Sequence, residues 1–135
     1  MVSHGFEEID HTADLALHVW GEDFHALLQQ AAQGMYQLMD ISTHHGTQTK
    51  IEFQIADESW ESVLVDFLSE LLYLAEDKQI VFDDFSFSED EQKVRVEATG
   101  ERISEIRRNI KAVTFHNLEV TQTKSGLETT ITFDV

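Results

Sequence analysis

Apolar residues recur at helical spacing in two stretches of this 135-residue chain. Phe24, Leu27, Leu28, Ala31, Met35, Leu38 and Met39 share one helical face, and Asp23, following Gly21, has the side chain of an N-cap. In the second stretch, Trp60, Val63, Leu64, Phe67, Leu68, Leu71, Leu72 and Ala75 form a wide apolar face while Asp66, Glu70 and Asp77 fall elsewhere. The spacing predicts two amphipathic helices whose stripes are core.

Elsewhere the period falls to two, which is the pattern of half-buried strands. Leu15, Leu17 and Val19 alternate with Ala16, His18 and Trp20, and Ile51, Phe53 and Ile55 alternate with Lys50, Glu52 and Gln54. A hairpin is predicted from residues 80–87 and 93–98 around the polar turn Ser88-Glu89-Asp90-Glu91. A second joins residues 112–121 to 127–135 through Thr123-Lys124-Ser125-Gly126, whose glycine can take a positive φ. A short helical turn is expected around residues 103–108. Hairpins imply antiparallel pairing, and their segregation from the helices predicts an α+β fold: an antiparallel β-sheet sandwich with two main α-helices in one domain spanning 1–135.

Composition narrows the function classes. With 41% hydrophobic residues and no apolar run near the length of a membrane span, the chain reads as soluble, and its start lacks the basic and apolar segments of a signal peptide. The absence of cysteine excludes thiolate nucleophiles and zinc–cysteine sites and suits a cytoplasmic protein. Acidic residues outnumber basic ones 26 to 9, a net charge of −17 that repels phosphate backbones, so direct nucleic-acid binding is not expected. Such a surface suits a basic protein partner, hard cations or simple solubility.

Nucleotide fingerprints are missing: neither G-x-G-x-x-G nor G-x-x-x-x-G-K-[ST] occurs, nor do H-E-x-x-H and G-x-S-x-G. His4, His11, His18 and His25 are spaced by seven, but Gly5, Gly21 and the alternating strand interrupt any continuous helix, so the spacing makes no ligand row. His44-His45 beside Gly46 reads as a solvated loop, and the carboxylates of Asp83-Asp84 and Glu89-Asp90-Glu91 as hairpin ends.

Three segments carry more chemistry. DHTADLALHVWG, residues 10–21, sets Asp10, His11, Thr12 and Asp14 before a strand, where a turn and a metal site would both use them. Lys111-Ala112-Val113-Thr114-Phe115-His116 follows the basic residues Arg102, Arg107 and Arg108; strand alternation would put Lys111, Val113 and Phe115 on one face and Ala112, Thr114 and His116 on the other. A lysine at a strand mouth neutralises a phosphate or carboxylate, or simply meets solvent. Finally, Thr132-Phe133-Asp134-Val135 brings two hard oxygen donors together at the end of the sequence.

These motifs in this order, HTADLALHVWG, the helix bearing Ala31, Gly34, Leu38 and Met39, KAVTFHNLEV and the closing FDV, resemble the archease family over nearly the whole chain. The resemblance implies a non-catalytic partner of an RtcB-type RNA ligase in tRNA splicing and RNA repair, one that promotes guanylylation of the ligase's own histidine by GTP and restores multiple turnover. GTP would then be met only through the ligase, and no membrane is involved. The resemblance also implies metal ligands at Asp14, Asp134 and Val135. Carboxylates and a main-chain oxygen are hard donors, suited first to Ca²⁺ and also to Mg²⁺ or Mn²⁺. Lys111 matches the lysine opening the family's K-A-x-T motif, and His11, Thr12, Lys111 and His116 are candidates for supporting or partner contacts. The family commonly has tyrosine where Phe115 stands, so this chain lacks that phenolic hydroxyl.

Two other function classes remain open. A small metal-dependent phosphohydrolase or nucleotide-handling enzyme would use Asp14, Asp134, an ion and water, and turn over unaided. A general chaperone-like module would bind many clients without needing Asp14.

Overall fold

A computed structural model describes residues 3–9 and 14–135. Its elements run β1 (Gly5–Ile9), β2 (Leu15–Gly21), α1 (Phe24–Met39), β3 (Ile41–Thr43), β4 (Thr49–Ala56), α2 (Trp60–Asp77), β5 (Ile80–Asp90), β6 (Lys93–Ile106), β7 (Ala112–Thr114), β8 (Thr121–Thr123) and β9 (Gly126–Asp134). The first sheet has the order β1-β2-β9-β7, with β8 also on β9; the second has β3-β6-β4, with β5 on the other side of β6. Among the described residues, every strand pairing is antiparallel. The predicted α+β fold with two antiparallel sheets and two helices is the one observed.

Both helices form where their stripes and caps place them. The Asp23 carboxylate accepts the Ala26 amide at 2.8 Å, and Ser59 Oγ accepts the Ser62 amide at 3.1 Å, so each first turn has an acceptor for one of its orphan amides. Helix α1 packs on β1 and β2 and reaches β5 and β9, while α2 packs on β7, β4 and β5 and touches α1. Each helix therefore serves both sheets, which explains why its apolar surface is wider than one stripe. Phe67, Phe82 and Phe133, with Leu17, Leu27, Leu64 and Leu68, are fully buried at the centre, each side chain contributing about 1.5–3 kcal/mol by leaving water. Trp60 departs from the predicted core: at the first position of α2 it remains 39% exposed and stacks on Phe24 at 6.1 Å.

Several boundaries differ from the sequence reading. The helical turn expected at 103–108 is instead the continuation of β6, which runs to Ile106 because Ile103 and Ile106 pair with Thr43 and Ile41 of β3. The first hairpin turns two residues later than predicted, at Glu91-Gln92, where φ values of 45° and 64° give the left-handed conformations a tight hairpin needs. The single strand expected over 112–121 is two three-residue strands separated by a loop, with Asn117 at φ 52°. Strands β1 and β3, which the sequence reading did not identify, complete the two sheets.

Two glycines permit close approaches. At Gly126 the backbone takes φ 151° and a Cβ would collide with the Gly21 carbonyl oxygen, so the β8–β9 turn lies directly on the end of β2. At Gly100 a Cβ would collide with the Val81 carbonyl oxygen and lie 2.7 Å from Phe82 Cα, next to the bulge where β5 slips its register between Phe82 and Asp84.

The basic residues before β7 serve the fold. Arg107 and Arg108 donate their backbone amides to the Met39 carbonyl, and Arg107 Nη1 donates to the Asp40 carbonyl at 3.1 Å, covering the C-terminus of α1. Arg107 also bonds Ser42 at 2.8 Å and pairs with Glu105 at 2.9 Å, while Arg108 lies 3.8 Å from Glu8. Among the described residues, no helix is long and apolar enough to cross a membrane.

Candidate metal and partner site

Strand β9 lies between β2 and the short strands β7 and β8, and this placement builds the site. Leu15 is the register partner of Phe133, and Phe133 in turn faces Val113. Asp14 immediately precedes Leu15 and Asp134 immediately follows Phe133, so two aspartates 120 positions apart leave the same end of adjoining antiparallel strands. On the other side Asp134 is paired with Ala112, and its carbonyl accepts the Lys111 amide at 2.7 Å. Val135 follows, 40% exposed.

Burial divides the ends of these strands from their middles. Leu15 is half-buried, Phe133 is fully buried and Val113 nearly so, forming the core side of the rung. Asp14 is half-buried, while Asp134 and Lys111 are exposed. The carboxylates thus stand at a solvent boundary, where a cation can reach them. The candidate donors are all oxygen: two aspartates and the main chain of Val135. That set fits a hard divalent ion and offers nothing to a thiophilic one. Among the described residues, no group of three or more His, Cys, Asp or Glu side chains gathers, so the main-chain oxygen and solvent would have to supply further positions.

The supporting candidates are only partly assembled. His11 and Thr12 lie outside the described residues. Lys111 is tied to the site by its backbone, and its ammonium makes no ion pair among the described residues. The face predicted to hold Lys111, Val113 and Phe115 is not formed: β7 ends at Thr114, and Phe115 is 56% exposed while Val113 is buried. Thr114 Oγ1 donates to the Thr132 carbonyl at 3.0 Å and accepts the His116 amide at 3.3 Å, which turns the chain out of the sheet. His116 therefore points along the loop, where its ring meets Asn117 at 3.2 Å, rather than joining Asp134.

One anchor of this region escaped the sequence reading. Glu61 Oε2, in the first turn of α2, accepts the amide of buried Val120 at 2.7 Å, and Thr129 Oγ1 donates to the Glu119 carbonyl at 2.8 Å. Together they hold the loop between β7 and β8 against the helix. An acidic residue at a helix start is a local signal, but its amide partner 59 positions away is not. The histidines at seven-residue spacing are scattered: His4 precedes β1, His18 lies on β2 and His25 on α1, beside Glu22, Glu128 and Glu89 respectively.

Comparison with known proteins agrees with these motifs and this topology. The Archease protein family matches residues 6–135. Protein archease of Methanosarcina barkeri is 32% identical, with 96% of this chain and 95% of that protein covered. Protein archease of Methanothermobacter thermautotrophicus is 31% identical over 86% of this chain and 88% of its own length. Among solved structures, Methanobacterium thermoautotrophicum protein 1598 superposes with a TM-score of 0.73 at 26% identity, covering 97% of this chain and 99% of that one. A Thermotoga maritima protein described as an archease and possible chaperone gives a TM-score of 0.71 at 22% identity, covering 96% of each chain. With the family matched over nearly its entire length and the fold matched with it, the chain belongs to the archease family.

Proposed function

We propose that this protein is a non-catalytic activator of an RtcB-type RNA ligase in tRNA splicing and RNA repair. It promotes guanylylation of the ligase's histidine by GTP and sustains turnover, while the covalent chemistry stays on the ligase. The observation that carries the reading is the β2–β9 register, which brings Asp14 and Asp134 to one end of adjoining strands beside Lys111.

In this reading Asp14, Asp134 and a main-chain oxygen of Val135 hold a divalent ion, Ca²⁺ first and Mg²⁺ or Mn²⁺ as alternatives. When bound, such an ion supplies a fixed positive charge at the tip of the sheet, able to orient phosphate or carboxylate oxygens. The protein's own part is to position two carboxylates on strands whose paired residues, half-buried Leu15 and buried Phe133 and Val113, prevent them from drifting apart. Lys111 presents a second cation nearby. The net charge of −17 supports a basic protein partner, such as the groove in which an RNA-handling enzyme holds phosphates.

The deciding experiment is a guanylylation assay of the cognate ligase with GTP, using wild-type protein, Asp14→Ala and Asp134→Ala. Activation by the wild type, and its loss in both altered forms, is expected. Unchanged activation by both would refute the metal site. Hydrolysis of nucleotide without ligase would favour the phosphohydrolase reading, and broad client protection that survives Asp14→Ala the chaperone-like one.

A further inference from the structure

Along the first sheet, alternation sends Leu17, Val19, Ile131 and Phe133 into the core; the opposite face buries the Ala16–Thr132 rung but is part-exposed at the end of β1, β2 and β9 that holds His18, Trp20, Glu128 and Thr130. One cross-strand rung of that face holds Gly5, Trp20 and Glu128, and the next holds Glu7, His18 and Thr130. Neither rung contains a lysine or arginine. Here Trp20 lies across Gly5, where a Cβ would come within 2.6 Å of the indole. The His18 ring sits 5.2 Å from the Trp20 ring at 38°, and His18 Nε2 is 3.3 Å from Glu128 Oε2. The result is a part-exposed aromatic surface edged by the carboxylates of Glu128 and Glu7 at one end of the sheet face.

We infer that this face is the docking surface for the ligase, and that Trp20, His18 and Glu128 receive an arginine side chain of the ligase's phosphate-binding groove. The inference rests on the activator reading above. Charge complementarity selects the occupant. A groove built to hold RNA phosphates must carry exposed arginine or lysine, and a guanidinium both stacks on an indole and donates in its own plane to a carboxylate such as Glu128. An ammonium would satisfy the charge but not the stacking. Glu7, exposed on the neighbouring rung, extends the acidic edge, and Thr130, two residues along β9 from Glu128, offers no charge of its own. Beyond one buried rung, Ala16 and Thr132, the same strands end at Asp14 and Asp134, so docking here would set the carboxylate end of the sheet in a defined orientation to the ligase.

The test is the affinity of the cognate ligase, by calorimetry at two salt concentrations, for wild-type protein, Trp20→Ala, Glu128→Gln, Thr130→Arg and Glu76→Gln. Thr130 is exposed, so its arginine variant keeps the fold while placing a like charge against the groove. Trp20→Ala and Thr130→Arg should each weaken the complex about tenfold or more, and Glu128→Gln should weaken it and reduce its salt dependence. Glu76→Gln removes the same charge from exposed α2 and should bind within about twofold of wild type, as rim charges distant from an interface do. Wild-type affinity in all four variants, or equal losses in Glu128→Gln and Glu76→Gln, would overturn the inference and leave the activator reading standing. If wild-type protein forms no complex with the ligase, both fail together.

Discussion

Leu15 stands opposite Phe133 in the β2–β9 ladder, and this one pairing puts Asp14 and Asp134 at a common edge. If the two share an ion, Ca²⁺ should raise the melting temperature, because a ligand held only by the folded state stabilises it, by about 2.7 kcal/mol at a hundredfold excess over Kd. The rise should disappear in Asp14→Asn and in Asp134→Asn. An equal rise in either variant, followed by differential scanning calorimetry, would place the ion elsewhere.

Lys111 holds Asp134 through its amide rather than its ammonium. Lys111→Ala should therefore leave the denaturant midpoint almost unmoved, within about 0.5 kcal/mol, while lowering activation of the ligase. A large loss of stability would show that the side chain has a structural role.

Glu61→Ala should cost about 1–3 kcal/mol, since it strands the buried amide of Val120, which Glu61 accepts at 2.7 Å. Glu61→Gln keeps an acceptor and should recover part of the loss. Hydrogen exchange at the Val120 amide provides the direct readout, with fast exchange expected in the alanine variant.

Burial pushes the Tyr36 phenol above its ordinary range, and the hydrogen bond from the Phe82 amide only partly opposes the shift. The folded state thus keeps the phenolic proton after the unfolded chain, with a pKa of about 10, has lost it. Stability from this group is complete below about pH 10 and is lost as pH rises towards the higher folded value. Urea titrations from pH 8 to 11 should show a steeper alkaline decline for wild type than for Tyr36→Phe. Parallel declines would argue that Tyr36 titrates freely in the folded protein.

Gly100→Ala should destabilise by about 3 kcal/mol or more, because the added methyl meets the Val81 carbonyl and Phe82 Cα across the β5–β6 pair, and neither is a yielding side chain. An exposed helix substitution such as Glu76→Gln supplies the neutral comparison in the same denaturation series.

The parts of this fold legible in the sequence are those set by neighbours along the chain. Helices α1 and α2 could be read because seven and eight apolar residues repeat at helical spacing, and Asp23 was recognisable as a cap because its acceptor serves an amide only three residues on. Strand β4 alternates as expected for the same reason. Strand β1 could not be read this way, since GFEEI has little alternation and is held by its pairing with β2. Nor could the end of β6, whose ISEI segment becomes strand through β3 instead of the helical turn that its residues suggested.

The candidate site divides along the same line. Sequence alone determined the chemical kinds involved: hard carboxylates in HTAD and FDV, a lysine before a strand, no cysteine and a large acidic excess. Motif order made the family recognisable, because order survives where geometry is invisible. Only the tertiary structure decided that β9 inserts between β2 and β7, that Phe115 and His116 leave the sheet, and that Trp20, His18 and Glu128 gather on a part-exposed face. Those relationships depend on which strands bury their apolar sides against the same helices, a choice made by the whole core rather than by any local run of residues.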